Sequence, residues 1–186
     1  MESAISFNTS TKEVTGNDKL VCKFEGRELL IVGNGPSLDR YLPAIESYIK
    51  ERQPIVIAIN TVKKLASEFV NYYCVSHNSK FLSEQNAYKS LQRPLILPAH
   101  RFTDEELNNL SSEFYDYGLN IAPAEFKVKD VYCTVPYDLT VAYALAIALN
   151  GNANKISLVG VDGYERGDVR QAEMIDSIWS FQIIGT

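Results

Sequence analysis

Only three cysteines occur in the 186 residues, Cys22, Cys74 and Cys133. They are scattered, odd in number and without a C-x-x-C pair, which argues against a disulfide framework or a structural zinc site and for a reducing compartment. Histidine is scarcer still, with His77 and His100 alone. No apolar run approaches the roughly 20 residues that a bilayer-crossing helix needs. The opening MESAISFNTSTKEVTGNDK is polar and lacks the apolar centre of a signal peptide. Positive charge is not in excess either: 18 Lys and Arg stand against 23 Asp and Glu, for a net charge of −5. That balance offers no field for a nucleic-acid backbone or an anionic membrane surface. The expectation is a cytoplasmic chain with no transmembrane segment and no nucleic-acid partner. Any anionic ligand must be gripped locally, by backbone N–H groups and a few side chains.

What is present is an ordinary globular composition, 46% hydrophobic and 22% charged, long enough for one domain with a full core. Residues 1–27 are rich in Ser, Thr, Asn and Lys and read as a polar lead-in or linker; 28–186 read as a single domain. Five short apolar runs follow: ELLIV (28–32), PIVIAI (54–59), NYYCVS (71–76), PLILPA (94–99) and KISLVG (155–160). They are continuous rather than alternating, as strands buried on both faces of a parallel sheet are. Helices are predicted over 37–52, 61–69, 79–91, 103–112, 138–150 and 170–182, with Pro43 blurring the start of the first. Residues 113–137, aromatic and broken by proline, read as a short extra strand plus a loop facing a substrate. The segment DLTVAYALAIALNG is apolar almost all round and predicts a buried helix, with four alanines allowing close approach and Gly151 supplying the stop. Alternating β and α units of these lengths predict an α/β fold: a doubly wound, mostly parallel, Rossmann-like sheet with helices on both faces.

In such a sheet, ligands bind beyond the carboxyl ends of the strands. The residues there are Gly33-Asn34-Gly35-Pro36-Ser37, Asn60-Thr61, Ser76-His77-Asn78-Ser79, His100-Arg101 and Asp162-Gly163-Tyr164. In the first turn, Gly33 and Gly35 allow close approach of a ligand to the backbone, Pro36 presets a helix start, and Ser37 can cap it. A helix N-terminus behind such a turn is a seat for an anion. Neither common phosphate fingerprint is met. A P-loop lysine is missing, Leu38 stands where a dinucleotide turn wants a small residue, and Asn60 stands where it wants an acid.

The turn Gly33-Asn34-Gly35-Pro36-Ser37, Asn60 after the second strand, Asn78 after the third, and VAYALAIALNGNANKISLVGVDGY together resemble two related families. One is the bacterial CMP-sialic-acid-dependent sialyltransferases of the single-Rossmann-domain kind. The other is the 6-hydroxymethylpterin pyrophosphokinase-like family with its motility accessory proteins. The likeness spans residues 28–164. The stretch VGVDGYERGDVRQAEM is also similar to a domain fused behind aldolase-like barrels in bacterial surface-polysaccharide gene clusters, which implies an aldolase-like partner domain or a homo-oligomer. The resemblance implies a CMP- or UDP-type nucleotide or nucleotide-sugar as ligand. Gly33, Asn34, Gly35, Ser37, Asn60, Asn78 and Asp162 then lie on the nucleotide and phosphate side, and Tyr164 bonds the departing phosphate. It implies neither metal nor cofactor, in keeping with the lack of an Asp-x-Asp motif. Two departures are specific. The family's Ser-Gly before the buried helix is Asp138-Leu139, and its downstream catalytic histidine has no counterpart.

His77 is the candidate replacement base, with Asp138 and Tyr164 the other catalytic candidates; a hydrogen-bonded loop histidine is the commoner case. His100-Arg101 suits a carboxylate or phosphate, against the alternative of a solvated loop. Asp162 suits a sugar hydroxyl, or serves as a turn residue before glycine. Three functions stay open: a metal-independent, sialyltransferase-like glycosyltransferase of surface-polysaccharide biosynthesis, a non-catalytic accessory binding module, and a pyrophosphokinase-like enzyme. The last wants clustered acids for Mg²⁺, and only Asp138 and Asp162 offer themselves.

Overall fold

The computed structural model describes residues 13–163. The expected helix over 170–182 and Tyr164 lie outside the described residues. The run Glu28–Val32 forms strand β1, with Leu29 to Val32 buried. Leu29 and Ile31 enter one apolar layer and Leu30 and Val32 the other. Helix α1 (Pro36–Arg52) follows, and β2 (Ile55–Ile59) repeats the two-sided burial, Ile55, Ile57 and Ile59 against Val56 and Ala58. Then come β3 (Tyr72–Cys74), α2 (Asn78–Ser83), α3 (Gln85–Ser90), β4 (Leu95–Leu97), α4 (Asp104–Asn108) and β5 (Phe114–Asp116). The remainder is β6 (Gly118–Ile121), β7 (Lys127–Lys129), β8 (Tyr132–Val135), α5 (Thr140–Asn150) and β9 (Lys155–Val159).

Six strands make one all-parallel sheet in the order β5-β4-β3-β2-β1-β9. The chain winds outward from β1 to β5 and returns to place β9 on the other side of β1, so the order reverses between β1 and β9. Helix α1 packs Leu38, Ile45 and Ile49 on one face, each worth about 2 kcal/mol in apolar burial. Helix α5 packs Tyr143, Ala144, Ala146, Ile147 and Ala148 on the other. The fold is the doubly wound α/β sheet that the strand pattern predicts. Among the described residues no helix is long and apolar enough to cross a membrane.

Several local expectations are corrected. Residues 113–137 are not one strand and a loop. They end the main sheet with β5 and build a second sheet, β6-β8-β7, whose Leu119, Cys133 and Val135 cover α5. The expected helix over 61–69 shrinks to a single 3₁₀ turn, Ser67–Phe69, because Val62 and Leu65 turn inward to the core. The helix over 79–91 breaks at Glu84, whose carboxylate accepts the Thr61 hydroxyl at 2.5 Å. The helix expected over 103–112 ends at Asn108, started by a Thr103–Glu106 capping box. Nor are residues 13–27 a detached lead-in. Leu20 and Phe24 are fully buried, and Asp18 borders β5, its N–H donating to the Asp116 carbonyl at 3.0 Å while its carboxylate accepts the Asp116 N–H at 2.7 Å. Gly151 ends α5 without a positive φ. Glycine is needed there because a Cβ would meet the Phe24 ring at 2.1 Å.

Candidate functional site

The first turn is closed by the protein itself. The Gly33 N–H donates to the Val159 carbonyl at 2.9 Å and the Gly35 N–H to the Gly160 carbonyl at 2.7 Å. A Cβ on Gly33 would meet Gly160 O at 2.3 Å, and one on Gly35 would meet Asp162 O at 2.6 Å. These glycines let the turn after β1 and the turn after β9 lie backbone to backbone; they do not open a path for a ligand. Gly35, not Ser37, is the N-cap of α1, and it makes no side-chain cap bond. The Ser37 N–H donates to Asp162 Oδ2 at 2.8 Å, its hydroxyl donates to Asp162 Oδ1, and the same Ser37 oxygen accepts the Gly160 N–H at 3.0 Å. The expected open anion seat is therefore filled. A helix N-terminus favours an anion, and Asp162, arriving from β9, supplies one. The Ser37 hydroxyl, and then its N–H, hold the Asp162 carboxyl below the usual carboxylate range.

The three asparagines take different partners along the carboxyl edge. Asn34 donates through Nδ2 to the Thr61 carbonyl at 3.0 Å, tying the end of β1 to that of β2. Asn60 sits in the left-handed region at φ 57°, a conformation asparagine tolerates better than most residues. Its N–H donates to the Cys74 carbonyl at 2.9 Å, and its side-chain Oδ1 is buried with no partner among the described residues. Asn78 is drawn toward α4, its Nδ2 lying 2.9 Å from both carboxylate oxygens of Glu106. Asn34 and Asn60 thus share adjacent strand ends, and Asn78 serves a neighbouring contact.

A second group gathers farther along the same edge. After β3, the Ser76 hydroxyl meets that of Thr140 at 2.8 Å in a buried contact that pins the start of α5 to the strand end. This brings Asp138, two residues before Thr140, beside His77, with His77 Nδ1 3.7 Å from Asp138 Oδ2. Arg101, beyond β4, completes the group. Its Nη1 donates to both Asp138 oxygens at 2.8 and 3.0 Å and to the Ser76 carbonyl at 3.2 Å. The carboxylate is drawn to Arg101 and does not cap α5, so the helix begins at Thr140, later than the sequence predicts. His100, beside Arg101, is shifted toward the neutral form by burial and then by the Arg101 charge.

The sequence singles out His77 and Asp138 separately and offers Arg101, with His100, as a holder of a carboxylate or phosphate or as part of a solvated loop. The rule of strand carboxyl ends, applied to β4 as firmly as to β1, points to Arg101. The fold joins the three from segments 24 and 37 residues apart. The two acids stand apart, Asp138 with Arg101 and Asp162 with Ser37, and among the described residues no group of three His, Cys, Asp or Glu could hold a metal ion. No protein-family model, curated protein or solved structure matches the chain.

Proposed function

We propose that this domain binds a nucleotide or nucleotide-sugar of CMP or UDP type along the carboxyl edge of its sheet, from Asn60 after β2 to Arg101 after β4. The observation that carries the reading is the convergence of His77, Arg101 and Asp138, from three separate segments, at that edge. Asn60 adds a buried amide oxygen with no partner among the described residues, an acceptor that a ligand's donor would satisfy. Parallel strands lie about 4.8 Å apart, so β2 to β4 spans about 10 Å, the reach of an extended ligand. In its enzymatic form the reading is a sialyltransferase-like glycosyl transfer in surface-polysaccharide assembly.

A second reading, a non-catalytic accessory module, is favoured by the Asp162 carboxylate on Ser37, which leaves the first turn without an open seat for a departing phosphate. Calorimetric titration of the full chain with CMP, UDP and ADP tests both. Saturable binding supports the shared claim, and turnover of an activated sugar separates catalyst from module. Absence of saturable nucleotide binding contradicts the reading.

A further inference from the structure

Asp138 stands between two groups able to take its charge. Arg101 holds it at 2.8 and 3.0 Å, and His77 waits at 3.7 Å, inside ion-pair range and beyond a hydrogen bond. Exposure orders the three: the Arg101 side chain is 21% exposed, His77 35% and Asp138 42%. The guanidinium is the most buried member and the carboxylate that neutralises it the least. An anion arriving from solvent therefore meets the acid first, with the cation behind it. Among the described residues the Arg101 side chain donates only through Nη1, and a guanidinium has further donors in the planar fork that fits phosphate.

We propose that Arg101 is the phosphate-binding residue of the nucleotide site, and that Asp138 is its resident counter-ion, handed to His77 when phosphate arrives. The inference rests on the nucleotide reading and assigns that reading its charged contact. Two anions on one guanidinium repel each other, whereas Asp138 can turn to His77 without crossing the site. The imidazole takes up a proton and holds it at Nδ1 against the carboxylate. Phosphate binding and His77 protonation then promote each other by the same factor. The charged group that faces His77 is Asp138, from the segment before α5, whose other partner is Arg101 after β4; on the chain that follows His77, Asn78 holds Glu106 of α4 and Lys80 of α2 is paired with Glu84 at 2.8 Å.

The test is an NMR titration of the two histidines in the full chain, with His100→Gln assigning the signals, without nucleotide and with saturating CMP. The expected result is that CMP moves the His77 titration to higher pH, with CMP affinity increasing as pH falls from 8 to 6. Asp138→Asn is expected to tighten CMP binding, since no counter-ion competes, and to abolish the His77 shift. Arg101→Gln is expected to weaken binding about tenfold or more, and Arg101→Lys, which keeps the charge and so the contact with Asp138, to restore part of it. CMP binding with an unmoved His77 pKa, or with undiminished affinity in both Arg101 variants, overturns this inference and leaves the nucleotide reading standing. A chain that binds no CMP or UDP overturns both.

Discussion

The Ser37 N–H donates to the Asp162 carboxylate at 2.8 Å, so an acid from beyond β9 caps the helix that leaves β1. The contact spans the point where the strand order reverses, the place where an open α/β sheet commonly admits a ligand. Here it locks the two turns together. Replacing Asp162 by Ala should cost about 1 kcal/mol in a chemical denaturation experiment, the worth of a helix cap. Asp162→Asn should recover part of that loss, because an amide oxygen still accepts the N–H. Because the native carboxyl is held below the ordinary 3.8, its contribution is present above that pH and fades as pH falls through the native value. A denaturation midpoint unchanged in Asp162→Ala at pH 7 would refute the capping role.

Acid sensitivity should also arise at Glu28. Arg52 reaches it at 2.7 Å, the Tyr48 hydroxyl at 3.1 Å and Lys155 at 3.6 Å. The Arg52 bond foremost holds its carboxyl at about 2, from an ordinary 4.5. A depressed native pKa makes the unfolded chain bind the proton more readily. The contribution is thus complete above about pH 4.5 and lost as pH drops toward 2. Glu28→Gln should flatten stability against pH in that window, and added salt should shrink the difference, since its main partner Arg52 is exposed. Identical acid profiles for the two proteins would contradict this.

Gly151→Ala tests how residues 13–27 belong to the domain. The backbone at Gly151 suits any residue, with φ −70°, but a methyl group would meet the buried Phe24 ring at 2.1 Å. The expected cost is about 1–3 kcal/mol, as for other overpacked cores. Phe24→Leu in the same chain should relieve part of it. An unaltered melting temperature in Gly151→Ala would show that Phe24 does not press there.

The main sheet was legible because its inner strands β1 and β2 are buried on both sides, so ELLIV and PIVIAI read as continuous apolar runs whatever the loops do. The second sheet was less so: its strands are three or four residues long, one face of it is the α5 core, and Lys127, Lys129 and Pro123 mask the pattern. Helix ends were misplaced where a side chain found a distant partner, as Glu84 did in Thr61 and Asp138 in Arg101. The first turn carries the deeper lesson. Gly33, Gly35 and Ser37 have the chemistry of an anion seat, and local sequence could not tell that the anion would be Asp162, 125 residues away. Arg101 was legible as a holder of a carboxylate, but not that the carboxylate would be Asp138, which depends on where the start of α5 is pinned by Ser76 and Thr140.

The most direct measurement is a crystal of the full chain soaked with CMP. The expected map shows nucleotide density along the strand ends from Asn60 to Arg101, phosphate on the Arg101 guanidinium, and Asp162 still bonded to Ser37. Phosphate seated on the N-terminus of α1 with Asp162 displaced, or nucleotide bound away from this edge, would contradict it.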